Sequence, residues 1–335
     1  MTVTAASVWF PRARAVELRE ETVGGPGRGE IRVHAVASGL SHGTEMLVYR
    51  GQVPPDLPLD LPTLAGSYRF PIKFGYASVG RVVAVGDGGS DLAPGDHVFV
   101  HHPHQQEYVV SQGAAVKLPR HVPPELGVFL ASLETALNVV FDAHPRLGED
   151  VVVIGQGVVG LLVTQLLNLA GARVIAVEPI GLRRELALRC GAEEAVAPND
   201  AAALIATRTN GRGADVVIEA SGNAQALQLA IDAAAFQASV VVCSWYGSKP
   251  VSLDLGARFH RARLRLVSSQ VSQIDPALAP RWDRQRRLDT AVSLLGELVL
   301  GPLITQRIPF ARAADAYELV DQRPEETVQV ILTYD

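Results

Sequence analysis

The stretch Val151-Val152-Val153-Ile154-Gly155-Gln156-Gly157-Val158-Val159-Gly160 constrains this chain more than any other. A β-branched apolar run meets glycines spaced G-x-G-x-x-G and passes into an apolar segment that reaches Ala170. That pattern predicts a buried strand, a tight turn and a helix. Gly155 permits the turn, Gly157 lets backbone approach a ligand, and Gly160 lets the helix pack closely on the strand. The free N–H groups of the helix start then face an anion. Gly155, Gln156, Gly157, Val158 and Val159 are therefore candidate contacts to the pyrophosphate of a dinucleotide. The next apolar run, 173–177, ends at Glu178, 18 residues after Gly160. A carboxylate there accepts hydrogen bonds from a ribose diol and repels a 2′-phosphate, which favours NAD over NADP. Arg183 and Arg184 follow closely and are able to bind such a phosphate, so NADP stays open. Ser221, just after the run 215–220, completes the candidate cofactor contacts.

The motif sits within a repeating texture. Short apolar runs at 151–154, 173–177, 215–220 and 239–243 alternate with helix-length segments, among them the Ala-, Leu- and Gln-rich 223–235. Such alternation signals a parallel sheet wrapped by helices. The first 120 residues look different: short runs at 31–36, 79–85 and 97–100 are separated by Gly, Pro and Asp turn signals, which predicts β-rich structure. Prolines 54, 55, 58, 62 and 71 predict a long ordered loop over 51–75 rather than a regular element. Near residue 275 the texture changes again: Leu288, Val292, Leu295 and Val299 share a helical face before Gly301-Pro302, and a helix at 311–320 and a strand at 327–333 follow.

Charge narrows the classes of partner. The formal net charge is −5, from 30 basic and 35 acidic residues, with no long run of one sign. A phosphate-binding surface needs clustered positive charge, so nucleic acid is not the expected partner. Two cysteines, Cys190 and Cys243, make neither a disulfide framework nor a four-thiolate zinc site. The start lacks a basic segment followed by an apolar one, and the apolar stretch 151–177 is broken by glycines, Gln156, Gln165, Asn168 and Arg173. A cytoplasmic protein with a small-molecule substrate and no membrane partner is expected.

Several further motifs carry a family likeness. Gly39-Leu40-Ser41-His42-Gly43-Thr44-Glu45 looks like the G-x-C-H-T-D stretch of zinc alcohol dehydrogenases with one residue inserted. Gly75-Tyr76-Ala77 stands where those enzymes have G-H-E, Gly95-Asp96-His97-Val98 resembles G-D-x-V, and Glu107-Tyr108-Val109 and Pro302-Leu303-Ile304-Thr305 match later motifs. From about residue 8 to its end the chain resembles the medium-chain dehydrogenase/reductase superfamily. The resemblance implies an α/β fold in which a Rossmann-type doubly wound parallel sheet, residues 134–274, is inserted into a β-rich GroES-like catalytic domain, residues 1–133 and 275–335. It also implies an active site between the two domains, a homodimer, and Thr135 near the nicotinamide.

The departures from the family pattern matter more. By resemblance the zinc ligands fall on Ser41, Tyr76 and Ala131, and the lobe that holds a structural zinc is missing between 100 and 105. Serine, tyrosine and alanine do not make a zinc site, so no zinc is expected. His101, His102 and His104 cluster where the lobe is missing and, with Glu134, form a rival set of metal donors, but Pro103 stiffens the run and adjacent extended residues point apart; lining a polar pocket or surface is the expected role. The Gly75-Tyr76 pair, with Tyr49-Arg50-Gly51, is similar to the bacteriochlorophyllide dehydrogenase branch.

Without a Lewis acid, a hydrogen-bond donor must stabilise charge on the substrate oxygen. Ser41, His42, Thr44 and Tyr76 are candidates: Tyr76 either donates from its phenol or fills the vacated space, and His42 is alternatively a pyrophosphate contact. Glu45 orients its neighbours or, if burial raises its pKa, acts as a base. Glu134, beside Thr135, is either a substrate contact or a helix-starting carboxylate. The expected function is zinc-independent, NAD(H)-dependent interconversion of an alcohol and a carbonyl on a polar small molecule. Reduction of an activated C=C bond and non-catalytic NAD(H) binding are the alternatives.

Overall fold

A parallel sheet with the strand order of a dinucleotide-binding fold organises the middle of the chain. The computed structural model describes residues 2–61, 63–89 and 91–335, so Pro62 of the proline-rich stretch lies outside the described residues. Those residues divide into two units, Met1–Ala131 with Val292–Asp335, and Ser132–Ala291. Residues 275–291 thus belong with the second unit. The helix Leu130–Ala143 carries the chain from one unit into the next.

In the second unit six parallel strands lie in the order Glu194–Val196, Arg173–Val177, Asp150–Ile154, Ala214–Glu219, Ala234–Val242, Arg265–Ser268. Numbered along the chain this is 3-2-1-4-5-6, with the order reversing between Asp150–Ile154 and Ala214–Glu219, where doubly wound folds bind ligands at the carboxyl ends of the strands. Asp150–Ile154 is buried along its whole length. Both faces of the sheet must therefore be covered, which explains an unbroken apolar run in place of alternation. Val152, Ile175, Val217, Ile231 and Val240 form its core with Leu227 and Ala230 of the crossover helix Ala224–Ala233.

The first unit is β-rich. Its largest sheet runs in the order Ala115–Lys117, His97–Val100, Ser78–Val85, Glu30–Leu40, Gln329–Thr333, Ile304–Pro309, and Glu107–Ser111 also pairs with Glu30–Leu40. Residues from both ends of the sequence thus share one sheet. The C-terminal strand Gln329–Thr333 pairs antiparallel with Glu30–Leu40, placing Val330 opposite Leu40. A second core gathers Phe10, Tyr49 and Tyr317, whose rings meet at centroid distances of 5.0–5.7 Å.

Two sequence expectations need correction. The stretch 51–75 is not a loop throughout: Pro58–Leu61 and Leu64–Ser67 form an antiparallel pair, and Ile72–Lys73 pairs with Val3–Phe10. Pro58 is tolerated because it opens its strand, where a missing N–H costs little. The helix of the C-terminal segment is Arg284–Leu294, so Leu295 and Val299 lie beyond it. The helical stretch Pro124–Ala143 is long and apolar enough to cross a membrane by length and composition, yet Leu130, Leu133, Ala136 and Val139 are buried inside the protein.

Candidate active site

The glycine turn of the second unit is built almost wholly from backbone. Gly155 has φ +92°, and a Cβ there would lie 2.6 Å from Cα of Ser221. Only glycine fits both constraints. A Cβ on Gly160 would come within 1.9 Å of the Gly155 carbonyl oxygen, so the close approach of helix Val158–Leu169 to the turn also requires glycine. Gly157 differs: a Cβ there would meet nothing within 4 Å, which leaves open space beside the helix start. Val158 and Val159 form the first turn of that helix and are half-buried. These features fit a dinucleotide phosphate held by backbone N–H groups.

Gln156 contributes backbone to this turn while its side chain faces inward. Its Nε2 donates to the Val153 carbonyl at 3.2 Å and its Oε1 accepts from Thr164 at 3.1 Å. Its backbone N–H donates to Glu178 Oε2 at 2.7 Å, and the N–H of Ile180 donates to the other carboxylate oxygen at 3.1 Å. Glu178 is thereby buried and fixed at the end of its strand. Arg184 donates to the carbonyls of Glu178 and Pro179, and Arg183 is a half-buried cation near Glu178, its pKa lowered by desolvation.

Ser221 follows a second buried strand-end acid, Glu219, which the sequence analysis passed over. The Ser221 backbone N–H and hydroxyl both donate to Glu219 Oε1, at 2.7 and 2.5 Å, and the Tyr246 hydroxyl donates to Oε2 at 2.7 Å. The cue was available: Glu219 ends its strand as Glu178 ends its own. Thr135 is half-buried on helix Leu130–Ala143. Its neighbour Glu134 is an ion-pair partner of Arg287, Oε1 to Nη2 at 3.3 Å, and Arg287 also donates to Asn138 and to the Val271 carbonyl.

In the first unit the structure brings Ser41, Thr44, Glu45 and Tyr76 together. Ser41 follows the strand Glu30–Leu40, and Thr44 and Glu45 open the short helix Thr44–Tyr49. Tyr76 follows Gly75, whose φ of +127° turns the chain. The Tyr76 phenol is hydrogen-bonded to the side chains of Ser41 and Thr44; burial pushes its pKa up to about 12, with those bonds acting in the opposite direction. It therefore stays protonated at neutral pH. His42 lies beside them, half-buried.

Glu45 is fully buried and its carboxylate is already engaged. Oε2 accepts from the Ser41 backbone N–H at 2.9 Å, and Oε1 accepts from the Tyr317 hydroxyl and from His104 Nε2 at 2.7 Å. Such a carboxylate holds its neighbours in place. Neither His104 nor Tyr317 was singled out from the sequence as a partner for Glu45.

The positions that resemblance assigns to a zinc ion do not fit one. Ser41 and Tyr76 are neutral oxygens bonded to each other, Ala131 offers no donor, and Glu45 is occupied. Among the described residues no group of three His, Cys, Asp or Glu side chains comes together to hold a metal. The three histidines take separate roles. His101 Nδ1 faces the Tyr76 carbonyl at 3.1 Å, and His102 stacks on Tyr108 with centroids 3.8 Å apart and bonds the Pro103 carbonyl. His104 bridges Ser38 and Glu45.

Comparison with known proteins follows the same division of the chain. Residues 27–120 match the family described as alcohol dehydrogenase GroES-like domain, and residues 158–282 match zinc-binding dehydrogenase. The D-guloside 3-dehydrogenase of Escherichia coli (strain K12) is 30% identical over 327 residues, covering 91% of this chain and 93% of that protein. The L-threonine 3-dehydrogenase of Pyrococcus abyssi is 28% identical over 342 residues, covering 92% of each. Among solved structures, galactitol-1-phosphate dehydrogenase from Escherichia coli superposes with a TM-score of 0.79 at 23% identity, over 98% of this chain and 99% of that one. A short chain alcohol dehydrogenase from E. coli CFT073, complexed with NADH, gives 0.80 at 21% identity with the same coverage.

Proposed function

The chain belongs to the medium-chain dehydrogenase/reductase superfamily, and on that premise we propose that it interconverts an alcohol and a carbonyl of a polar small molecule with NAD(H) and without a catalytic zinc. The observation that carries this reading is the Tyr76 phenol, hydrogen-bonded to Ser41 and Thr44 at the position where the family's zinc ligand falls. A bound nicotinamide supplies or accepts the hydride. In carbonyl reduction the Tyr76 O–H donates to the substrate oxygen as negative charge develops there, and Ser41 and Thr44 fix its direction. Its raised pKa keeps that proton in place at neutral pH. Alcohol oxidation runs the same step backwards and so requires Tyr76 to lose its proton first. Glu45 acts at one remove, by fixing the Ser41 backbone.

The backbone turn at Gly155–Gly157 and the carboxylate of Glu178 support NAD as the cofactor. Two relatives are named for dehydrogenation at position 3 of a D-guloside and of L-threonine, which supports a hydroxyl-bearing substrate over an enone.

The test uses NADH deuterated at the transferable position, incubated with the protein and an extract of its source cells. A product one mass unit heavier on a carbinol carbon is expected. A label on the saturated carbon β to a carbonyl would replace the proposal with C=C reduction. NADH binding without any labelled product would favour a non-catalytic role.

A further inference from the structure

We propose that His104 is the positioning residue of this site, spacing Tyr76 against Ser41 through two separate contacts of one imidazole ring. The proposal rests on the reading of Tyr76 as proton donor, and its test below requires no turnover.

The ring is buried, with both nitrogens engaged: Nδ1 meets the Ser38 hydroxyl at 2.6 Å and Nε2 meets Glu45 Oε1 at 2.7 Å. A carboxylate that accepts from Ser41 N–H and from Tyr317 needs a donor at its third contact, which places the proton on Nε2. Nδ1 meets the Ser38 hydroxyl, whose oxygen lies 2.7 Å from the Tyr334 hydroxyl. The ring plane is thus set from both ends.

One consequence reaches Ser41. Glu45 is the shared acceptor for His104 and for the Ser41 backbone, so the place of the imidazole determines where the Ser41 hydroxyl meets Tyr76. The other reaches Tyr76 from the opposite side. A Cβ on Gly75 would lie 2.7 Å from His104 Cδ2 and 2.8 Å from Nε2, so the ring occupies the space a side chain at 75 would take. The backbone leading into Tyr76 rests on the imidazole edge. His101, three residues before it, bonds the Tyr76 carbonyl, so the same segment fixes Tyr76 twice. The His104 backbone is itself anchored, its carbonyl accepting from Val8 N–H at 2.9 Å.

The experiment labels tyrosine at the ring carbon bearing oxygen with 13C and assigns the Tyr76 signal by its loss in Tyr76→Phe. His104→Gln reaches the Nε2 position and keeps a donor to Glu45, whereas His104→Asn stops near Nδ1 and leaves Glu45 one donor short. The Tyr76 signal is expected to move by more than its linewidth in His104→Asn and to hold its place in His104→Gln. A signal unmoved in both, or moved equally in both, overturns the proposal. If His104→Asn does not fold, Ser38→Ala frees the ring to rotate and is expected to move the same signal; an unmoved signal again overturns it. Unchanged kcat in Tyr76→Phe would sink the donor reading instead, independently of these spectra.

Discussion

The candidate sites of the two units are built by opposite means. At the dinucleotide turn, specificity resides in the absence of side chains: Gly155, Gly157 and Gly160 let backbone through, and the Gln156 side chain is folded away. At the Ser41–Tyr76 site it resides in side chains holding side chains, from His104 through Glu45 to Ser41. A backbone site is specified by local geometry and survives change around it. A side-chain network depends on partners contributed by remote segments, and it is here that the positions assigned to zinc ligands by resemblance hold Ser41 and Tyr76.

The comparison is open to breakage, beginning with the largest effect. Gly155→Ala adds a Cβ against the Ser221 backbone in a left-handed conformation. Left-handed strain of about 1–2 kcal/mol and overpacking of about 1–3 kcal/mol should together cost roughly 3 kcal/mol in chemical denaturation. A loss below 1 kcal/mol would show that the turn tolerates side chains. Next, Tyr76→Phe should lower kcat roughly 100-fold with NADH affinity unchanged, as removal of a proton donor does. An equal loss of NADH binding in a fluorescence titration would mean that Tyr76 serves packing.

A smaller effect sharpens the division within the turn itself. Gly157→Ala meets no atom within 4 Å, so stability should stay within about 0.5 kcal/mol while NADH binding weakens. If stability falls as in Gly155→Ala, Gly157 is a folding glycine and not a ligand glycine. A further test concerns acid stability. Burial pushes His102 from its ordinary 6.5 down to about 3. Between those values the unfolded chain binds a proton that the folded protein refuses, so stability falls as pH drops through the window. His102→Phe should flatten that acid limb in a series of urea melts, and an unaltered slope would assign it to other groups.

Legibility in the sequence followed the same line. The strand, turn, helix and terminal acid at 151–178 are contiguous, and each residue type is dictated by its neighbours, so the dinucleotide fold could be read directly. Tyr76 and Ser41 were legible only through a family pattern that they violate. Their partners were not legible at all: His104 is 59 residues from Glu45 in sequence, and Tyr317 is 272 residues away. Such pairings come from segments distant in sequence that the sheet brings together, the strand Glu107–Ser111 and the C-terminal strand Gln329–Thr333 both pairing with Glu30–Leu40, and no local periodicity records them. The hairpin within 51–75 was hidden for a different reason, because five prolines suggested a loop where one of them merely begins a strand.

Glu178 ties together two properties that protein engineers usually treat as separable. Its two oxygens receive the N–H groups of Gln156 and Ile180, so the residue proposed to disfavour a 2′-phosphate also braces the turn of the glycine motif. Exchanging it for a neutral side chain to recruit NADP would loosen the binding platform in the same stroke. A switch of coenzyme in this scaffold therefore calls for a compensating acceptor for those two amides, installed alongside the change in charge.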